Sequence, residues 1–324
     1  MKHNRTHTRT HNALARLPGI LGLVAIFALL LPVPAAPATA EAAKADTTLR
    51  VVSYNIHAGR GMDGRIDLPR IAAVLRRLDA GVILLQEVDM GTKRSGGVLQ
   101  AVELAKLLGM HFYFAKSMNY GGGEFGNAIL SKHPLEHAST LPLAGGVEPR
   151  SAGFVEIVLP ARQNRNDNNK IAARAKAGEG EGGLRVMLVG VHLDHRNKET
   201  HMEHVKKISN EVARLTAKRP CAAVIWGGDF NATEASPIWD VLTKEHGWLM
   251  PQKQGATKAD RATIPSVKPA REIDWFIYRA AEKKNGAKTQ TFTVLEHRVE
   301  SEPMASDHCP VVFALGVYFN SQSK

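Results

Sequence analysis

Cysteine is scarce in this chain. Only Cys221 and Cys309 occur in 324 residues, so neither a disulfide scaffold nor a thiolate zinc cluster can be built. Acid is missing altogether from residues 1–40, which carry Lys2, Arg5, Arg9 and Arg16 and no charge from Leu17 to Ala40. The apolar core there, Gly19 to Leu31, falls short of the roughly 20 residues that a bilayer-spanning helix needs. Small residues follow at Ala38-Thr39-Ala40. The segment therefore reads as a cleaved secretory signal. An uncleaved N-terminal anchor is the alternative, with the same export to periplasm or exterior. No sequence period recurs, which excludes a repeat array. Collagen-like and disordered readings fail as well, because 44% hydrophobic and 23% charged residues is ordinary globular composition.

The charge balance is basic. Lys+Arg 42 against Asp+Glu 31 gives +11, and about +7 remains once the first 40 residues are removed, a bias toward polyanionic partners. From Thr47 onward, apolar runs of strand length alternate with amphipathic helical stretches. Strands are expected over Leu49–Ile56, Val82–Glu87, Asn127–Leu130, Phe154–Leu159, Leu184–Leu193, Ala222–Trp226, Ile273–Tyr278 and Pro310–Leu315. Most lack strict alternation, as strands covered on both faces should. Phe112-Tyr113-Phe114 reads as a further buried strand.

One helix is expected after Asp67 as N-cap, burying Ile71, Val74, Leu75 and Leu78. A second carries Ala101, Leu104, Ala105 and Leu108, and a third Met202, Val205, Ile208, Val212 and Leu215. Residues 161–183 are polar and Gly-rich between two strands, a long hairpin loop, and Met250 to Ala270 is a second loop. The expected organisation is a signal over 1–40, a linker over 41–47, one domain over 48–318 and a tail over 319–324.

Polar residues interrupt the apolar strands at their ends. VVSYNIH places Asn55 and His57 there, ILLQEVD places Glu87, VGVHLDH places His192 and Asp194, and VIWGGDFNA places Asp229 and Asn231 around Phe230. In REIDWFIY and SDHCPVVFAL the order reverses, with Asp274, Asp307 and His308 preceding the apolar run. If those two strands run antiparallel to the others, all of these groups meet at one sheet edge. Burying them without partners would cost several kcal/mol each, on the order known for polar and charged groups. Asp229 and Asn231 alternate with Phe230, so an extended backbone would put the pair on one face. Cys221 and Cys309 fall about 25 Å apart at strand spacing, which leaves two free thiols.

Taken together, SYNIH, QEVD, GNAILS, VHLDH, GGDFNA, EIDWFI and SDHCPV resemble the endonuclease/exonuclease/phosphatase superfamily, metal-dependent hydrolases related to deoxyribonuclease I, exonuclease III and sphingomyelinase. The resemblance implies an α/β fold, a four-layer α-β-β-α sandwich of two mixed sheets, with the site at one edge. It implies a divalent metal, Mg²⁺ or Mn²⁺, on Glu87 with Asn55 and Asp307 close by, all hard oxygen ligands. His308 would handle a proton with Asp274 as its partner. Asp229 and Asn231 would orient the attacking water or a second metal and hydrogen-bond the phosphoryl oxygens, and His192 would stabilise the transition state or assist the leaving group. Whether Asp229 or His308 removes the water proton stays open.

Arg94, Asn127 and Arg150 sit where relatives contact phosphate or brace the site, and Asp194 and His195 have supporting positions. The resemblance does not choose a substrate. A monomeric phosphodiesterase without stable membrane insertion is expected, with nucleic acid favoured by charge. A sphingomyelinase-like enzyme and a non-catalytic binding domain are the alternatives.

Overall fold

The computed structural model describes residues 45–144, 148–160, 183–255, 257–280 and 290–319. The expected signal and nearly all of the 161–183 loop lie outside them. Among the described residues eleven strands form two sheets. The first holds β1 (Thr47–Asn55), β2 (Val82–Met90), β3 (His111–Tyr120), β4 (Gly123–Ser131), β10 (Gln290–Val299) and β11 (Val311–Phe319), in the order β10-β11-β1-β2-β4-β3. The second holds β5 (Glu136–Leu143), β6 (Arg150–Leu159), β7 (Leu184–His192), β8 (Ala223–Asp229) and β9 (Asp274–Ala280), in that order. Both are mixed, since β1–β2 and β7–β8 pair in parallel and the rest antiparallel.

Successive side chains of the inner strands serve different layers. Leu49 and Val51 of β1 enter the core between the sheets, while Val52 and Tyr54 enter the outer core beneath the helices Leu68–Leu78 and Gln100–Leu108. On β7, Val186 and Leu188 face inward, and Met187 and Val189 face the long helix Lys198–Lys218. A strand with both faces covered must be apolar at every position, which explains the unbroken runs in the sequence. The architecture is the expected four layers, helix, sheet, sheet, helix.

Helix starts follow local chemistry. The Asp67 carboxylate accepts from the Arg70 N–H at 2.9 Å and Pro69 occupies the first turn, so an orphan donor of the helix end is satisfied. Ile71, Val74, Leu75 and Leu78 are all buried, as their spacing requires.

Three strands were not expected from the apolar pattern: β3 beyond its aromatic triplet, β5 and β10. All three lie at sheet edges, where one flank meets water and a continuous apolar run is not needed. Pro142 is accommodated in β5 for the same reason. The aromatic triplet is corrected accordingly. Phe112 is 41% exposed and Tyr113 and Phe114 are half-buried, because β3 ends its sheet. Both cysteines are free thiols, as expected. Among the described residues no helix is long and apolar enough to cross a membrane.

The cap gives a direct test of this local reading. Asp67→Ala should lower unfolding stability by about 1 kcal/mol, read as a shifted urea midpoint at unchanged slope. A shift below the error of the melt would mean that the cap contributes nothing.

Candidate active site

The sheet registers assemble the site. His192, Asp229 and Asp274 lie side by side across β7, β8 and β9. β9 and β11 run antiparallel to their neighbours, so Asp274 at the start of one and Asp307-His308 just before the other reach the edge where β1, β7 and β8 end. The Ser306 hydroxyl donates to the Asn55 carbonyl at 2.7 Å and ties the SDH segment to the end of β1. On β2 the register against β4 slips between Leu85 and Val88. Glu87 sits in that bulge with φ 56, and the bulge turns its side chain out of the ladder into the cleft.

The side chains form one connected set. The Asn55 amide donates to Glu87 at 3.0 Å and to Asp229 at 3.2 Å, which puts two carboxylates within reach of one nitrogen. Asp229 lies 3.5 Å from His192 Nε2 and 3.8 Å from His308 Nε2. His308 Nδ1 is 2.9 Å from Asp274 Oδ2. Asp307 sits 3.7 Å from His57 Nδ1. Glu87, Asp229, Asn231, His192, Asp307 and His308 all line a cleft of about 320 Å³. Oxygens and nitrogens of Asp229, Asp274 and His308 lie within 4.8 Å of one another.

Burial sets the electrostatics. Asp229 is 2% exposed. Loss of water, then the Asp274 charge, pushes its carboxyl up to about 7 against the partial relief of His308. His308 is buried too, which opposes its charged form, but Asp274 and then Asp229 outweigh the burial and push the imidazole up to about 10. His192 moves the other way. Burial first, and the Arg150 charge second, hold it well below the usual histidine range. An arginine only donates, so at the 3.4 Å contact His192 Nδ1 is the acceptor, and the ring proton sits on Nε2, facing Asp229.

Several expectations need correction in detail. Asn55 was read as an oxygen ligand, yet its oxygen accepts from the His57 N–H at 3.1 Å and its nitrogen faces the carboxylates. As placed it braces Glu87 against Asp229. Asp229 and Asn231 share the cleft while Phe230 enters the outer core, but by a turn, since β8 stops at Asp229 and Asn231 has φ 49. The Asn231 N–H donates to Asp229 Oδ1 at 2.8 Å and its amide to the Leu193 carbonyl at 3.1 Å. Asn127 is buried, donates to the Ser151 carbonyl across the two sheets and does not line the cleft. It braces.

Arg94 and Arg150 line the cleft and neither is an isolated surface residue. The Arg94 fork is committed to buried Asp89 by two 2.8 Å bonds and lies over the Tyr120 ring at 4.5 Å. Arg150, with 3% of its side chain exposed, meets Glu148 at 3.2 Å, His192 and His195. Asp194 accepts from the Arg196 and Asn197 N–H groups ahead of the long helix.

Sequence reasoning missed Asp89, Tyr120, Glu148 and Arg271. Asp89 follows Glu87 by two in QEVD, and Arg271 opens the REIDW motif; both were within reach of those motifs. Arg271 lines the cleft on a backbone fixed by paired hydrogen bonds with Ile264.

The His308–Asp274 contact can be checked by ring NMR. In Asp274→Asn the imidazole should titrate at least one unit lower than in the native protein, since the carboxylate that favours its charged form is gone. The sign for stability follows. A raised folded value stabilises fully below the ordinary 6.5, and that contribution is lost as pH rises through about 10. An unchanged titration would remove Asp274 as the cause.

The model of the Endonuclease/Exonuclease/phosphatase family matches residues 52–308. The Escherichia coli K12 protein YbhP, described as uncharacterized, is 27% identical over 122 residues, 35% of this chain and 48% of its own. The match thus spans about half the length of that relative. Similar solved structures include an endonuclease/exonuclease/phosphatase from Bacteroides vulgatus, at 18% identity and TM-score 0.62 over 84% of this chain and 100% of that one. A mannosyl-6-phosphatase of Bacteroides thetaiotaomicron is 15% identical with TM-score 0.59 over 84% and 100%. Truncated TDP2 of Caenorhabditis elegans is 19% identical with TM-score 0.54 over 85% and 99%. These likenesses show the fold. With the family match running from β1 to His308, the chain belongs to the endonuclease/exonuclease/phosphatase family.

Proposed function

We propose that this chain is an exported, divalent-metal-dependent phosphodiesterase, with nucleic acid favoured as substrate. The observation that carries the reading is the meeting of Glu87 from the β2 bulge, Asp229 from the end of β8, and Asp307 and His308 from the segment before β11 in one cleft. Export rests on the pattern of residues 1–40. The preference for a polyanion rests on the basic balance and on Arg271, whose guanidinium has no ion pair among the described residues. Phosphoester hydrolysis as such is supported by a family whose solved relatives include a phosphatase.

The donor set fits a hard cation. Glu87 and Asp307 present carboxylates to the cleft, and among the described residues neither is paired with a lysine or arginine. These two carboxylates would hold Mg²⁺ or Mn²⁺, with the Asn55 amide steadying Glu87 beside the ion. When bound, the ion neutralises phosphate charge and makes its bound water more acidic.

The remaining work falls to the chain. Asp229, pushed up to about 7, can take a proton near neutrality, and a cation beside Glu87 would oppose that rise. His308, held charged between two carboxylates, donates from Nε2 to a phosphoryl oxygen while Asp274 fixes its Nδ1. The Nε2–H of His192 adds a second donor beside Asp229, and the Asn231 N–H fixes the Asp229 carboxylate. Asp229 is therefore our assignment for the general base.

Purified protein should be offered plasmid DNA, RNA, sphingomyelin and bis(p-nitrophenyl) phosphate, each with Mg²⁺ and with EDTA. We expect cleavage of a nucleic acid and of the chromogenic diester that EDTA abolishes, and a roughly 10²- to 10⁴-fold slower His308→Ala variant. Cleavage of sphingomyelin alone would assign the enzyme to lipid. Equal DNA binding in both conditions with no cleavage would make it a binding domain.

A further inference from the structure

Lys253 is a buried ammonium that the mechanism above does not use. Its side chain is 0% exposed, it comes from the loop between Met250 and Ala270, and its Nζ donates to the main-chain carbonyl of Asp274 at 2.5 Å. Glu272 lies 3.1 Å from the same Nζ, and the Trp275 ring lies under it at 4.4 Å. Arg261, which sits 3.7 Å from Glu272, and His297 are the other titratable groups close enough to act on it or be acted on.

A lysine is almost never fully buried without strong compensation. Here burial pushes it down to about 8 despite Glu272 and Asp274, so the fold accepts a cost at this position. An ion pair with Glu272 alone would need no bond to Asp274. Nζ nonetheless reaches the backbone of the residue whose carboxylate holds His308.

The same loop grips the other half of that pair. The Thr263 carbonyl accepts from the Cys309 N–H at 2.7 Å, the Ser266 N–H donates to the Asp307 carbonyl at 2.8 Å, and the Ser266 hydroxyl donates to the Ser306 carbonyl at 2.6 Å. One loop thus fixes the peptide before β11 that carries His308, and through Lys253 it fixes the start of β9 that carries Asp274. Small displacements at such a place matter, because a reacting geometry off by about 1 Å can cost on the order of 10²-fold in rate.

We propose that Lys253 is a positioning residue for phosphoester hydrolysis: its buried ammonium fixes the main chain of Asp274, and through the Asp274 carboxylate the orientation of the His308 imidazole. This rests on the reading of Asp274 and His308 as the proton-handling pair of a phosphoesterase. Lys253 touches neither substrate nor the reacting atoms and acts only through Asp274.

Lys253→Met keeps the stem length and removes the donor; Lys253→Gln keeps a donor without the charge. With bis(p-nitrophenyl) phosphate and Mg²⁺, kcat of Lys253→Met should fall roughly 10- to 100-fold with KM within about twofold, and Lys253→Gln should recover part of the loss. In an Asp274→Asn background the Lys253→Met change should add no further loss, since the route runs through that carboxylate. Independently of activity, the Nδ1–H proton of His308 should give a downfield NMR signal that Lys253→Met shifts or broadens in a protein that still melts cooperatively.

A folded Lys253→Met with native kcat and native signal overturns the proposal. So does an equal loss in the Asp274→Asn background, or a change confined to KM. If neither variant folds, Lys253 is a structural residue and the proposal fails. Should the native enzyme hydrolyse no phosphoester, the functional reading falls, while the NMR arm still reports whether Lys253 sets the imidazole.

Discussion

Four carboxylates, those of Glu87, Asp229, Asp274 and Asp307, end at one edge of this molecule, and their mutual repulsion is the constraint to which the surroundings answer. Left alone, buried like charges would take up protons and lose their use as ligands and bases. Two elements offset part of that repulsion. The Asn55 amide stands between Glu87 and Asp229, and the His308 imidazole stands between Asp229 and Asp274. Glu87 and Asp307, without an ion-pair partner of lysine or arginine among the described residues, are the part of the charge that the proposed cation would neutralise.

The strands deliver these groups because sheet edges are where buried backbone gives way to open space. An inner strand contributes apolar residues to two cores and can carry a polar side chain toward the site only where it stops or bulges. Glu87 illustrates the second case, with its left-handed backbone in the β2 bulge. Asn231 illustrates the first, just past the end of β8. Asparagine adopts this left-handed backbone readily, whereas for Glu87 it is sparsely populated, and a cost of order 1–3 kcal/mol is tolerated where geometry serves a site.

Much of this was legible in the sequence, for a physical reason. The unbroken apolar runs of β1, β2, β7 and β8 reflect double coverage, and the reversal of order in REIDW and SDHCPV correctly implied antiparallel strands whose starts meet the ends of the others. What stayed hidden was governed by contacts across the fold. β3, β5 and β10 lack the signal because an edge strand keeps one side toward water. The bonding direction of Asn55 could not be read from SYNIH, since it depends on which acceptors arrive from β2 and β8. Lys253 and Arg271 lie in or beside a loop whose composition reads as bland, and only its docking against β9 and the SDH segment gives Lys253 its place against Asp274 and Arg271 its place in the cleft.

Glu87 and its neighbours form the proposed seat for a divalent cation. Its most direct test is calorimetric titration of Mn²⁺ into the native protein and into Glu87→Gln. Binding should be saturable for the native protein and at least tenfold weaker for the variant, with both melting alike in the absence of metal. Identical isotherms for the two proteins would contradict it.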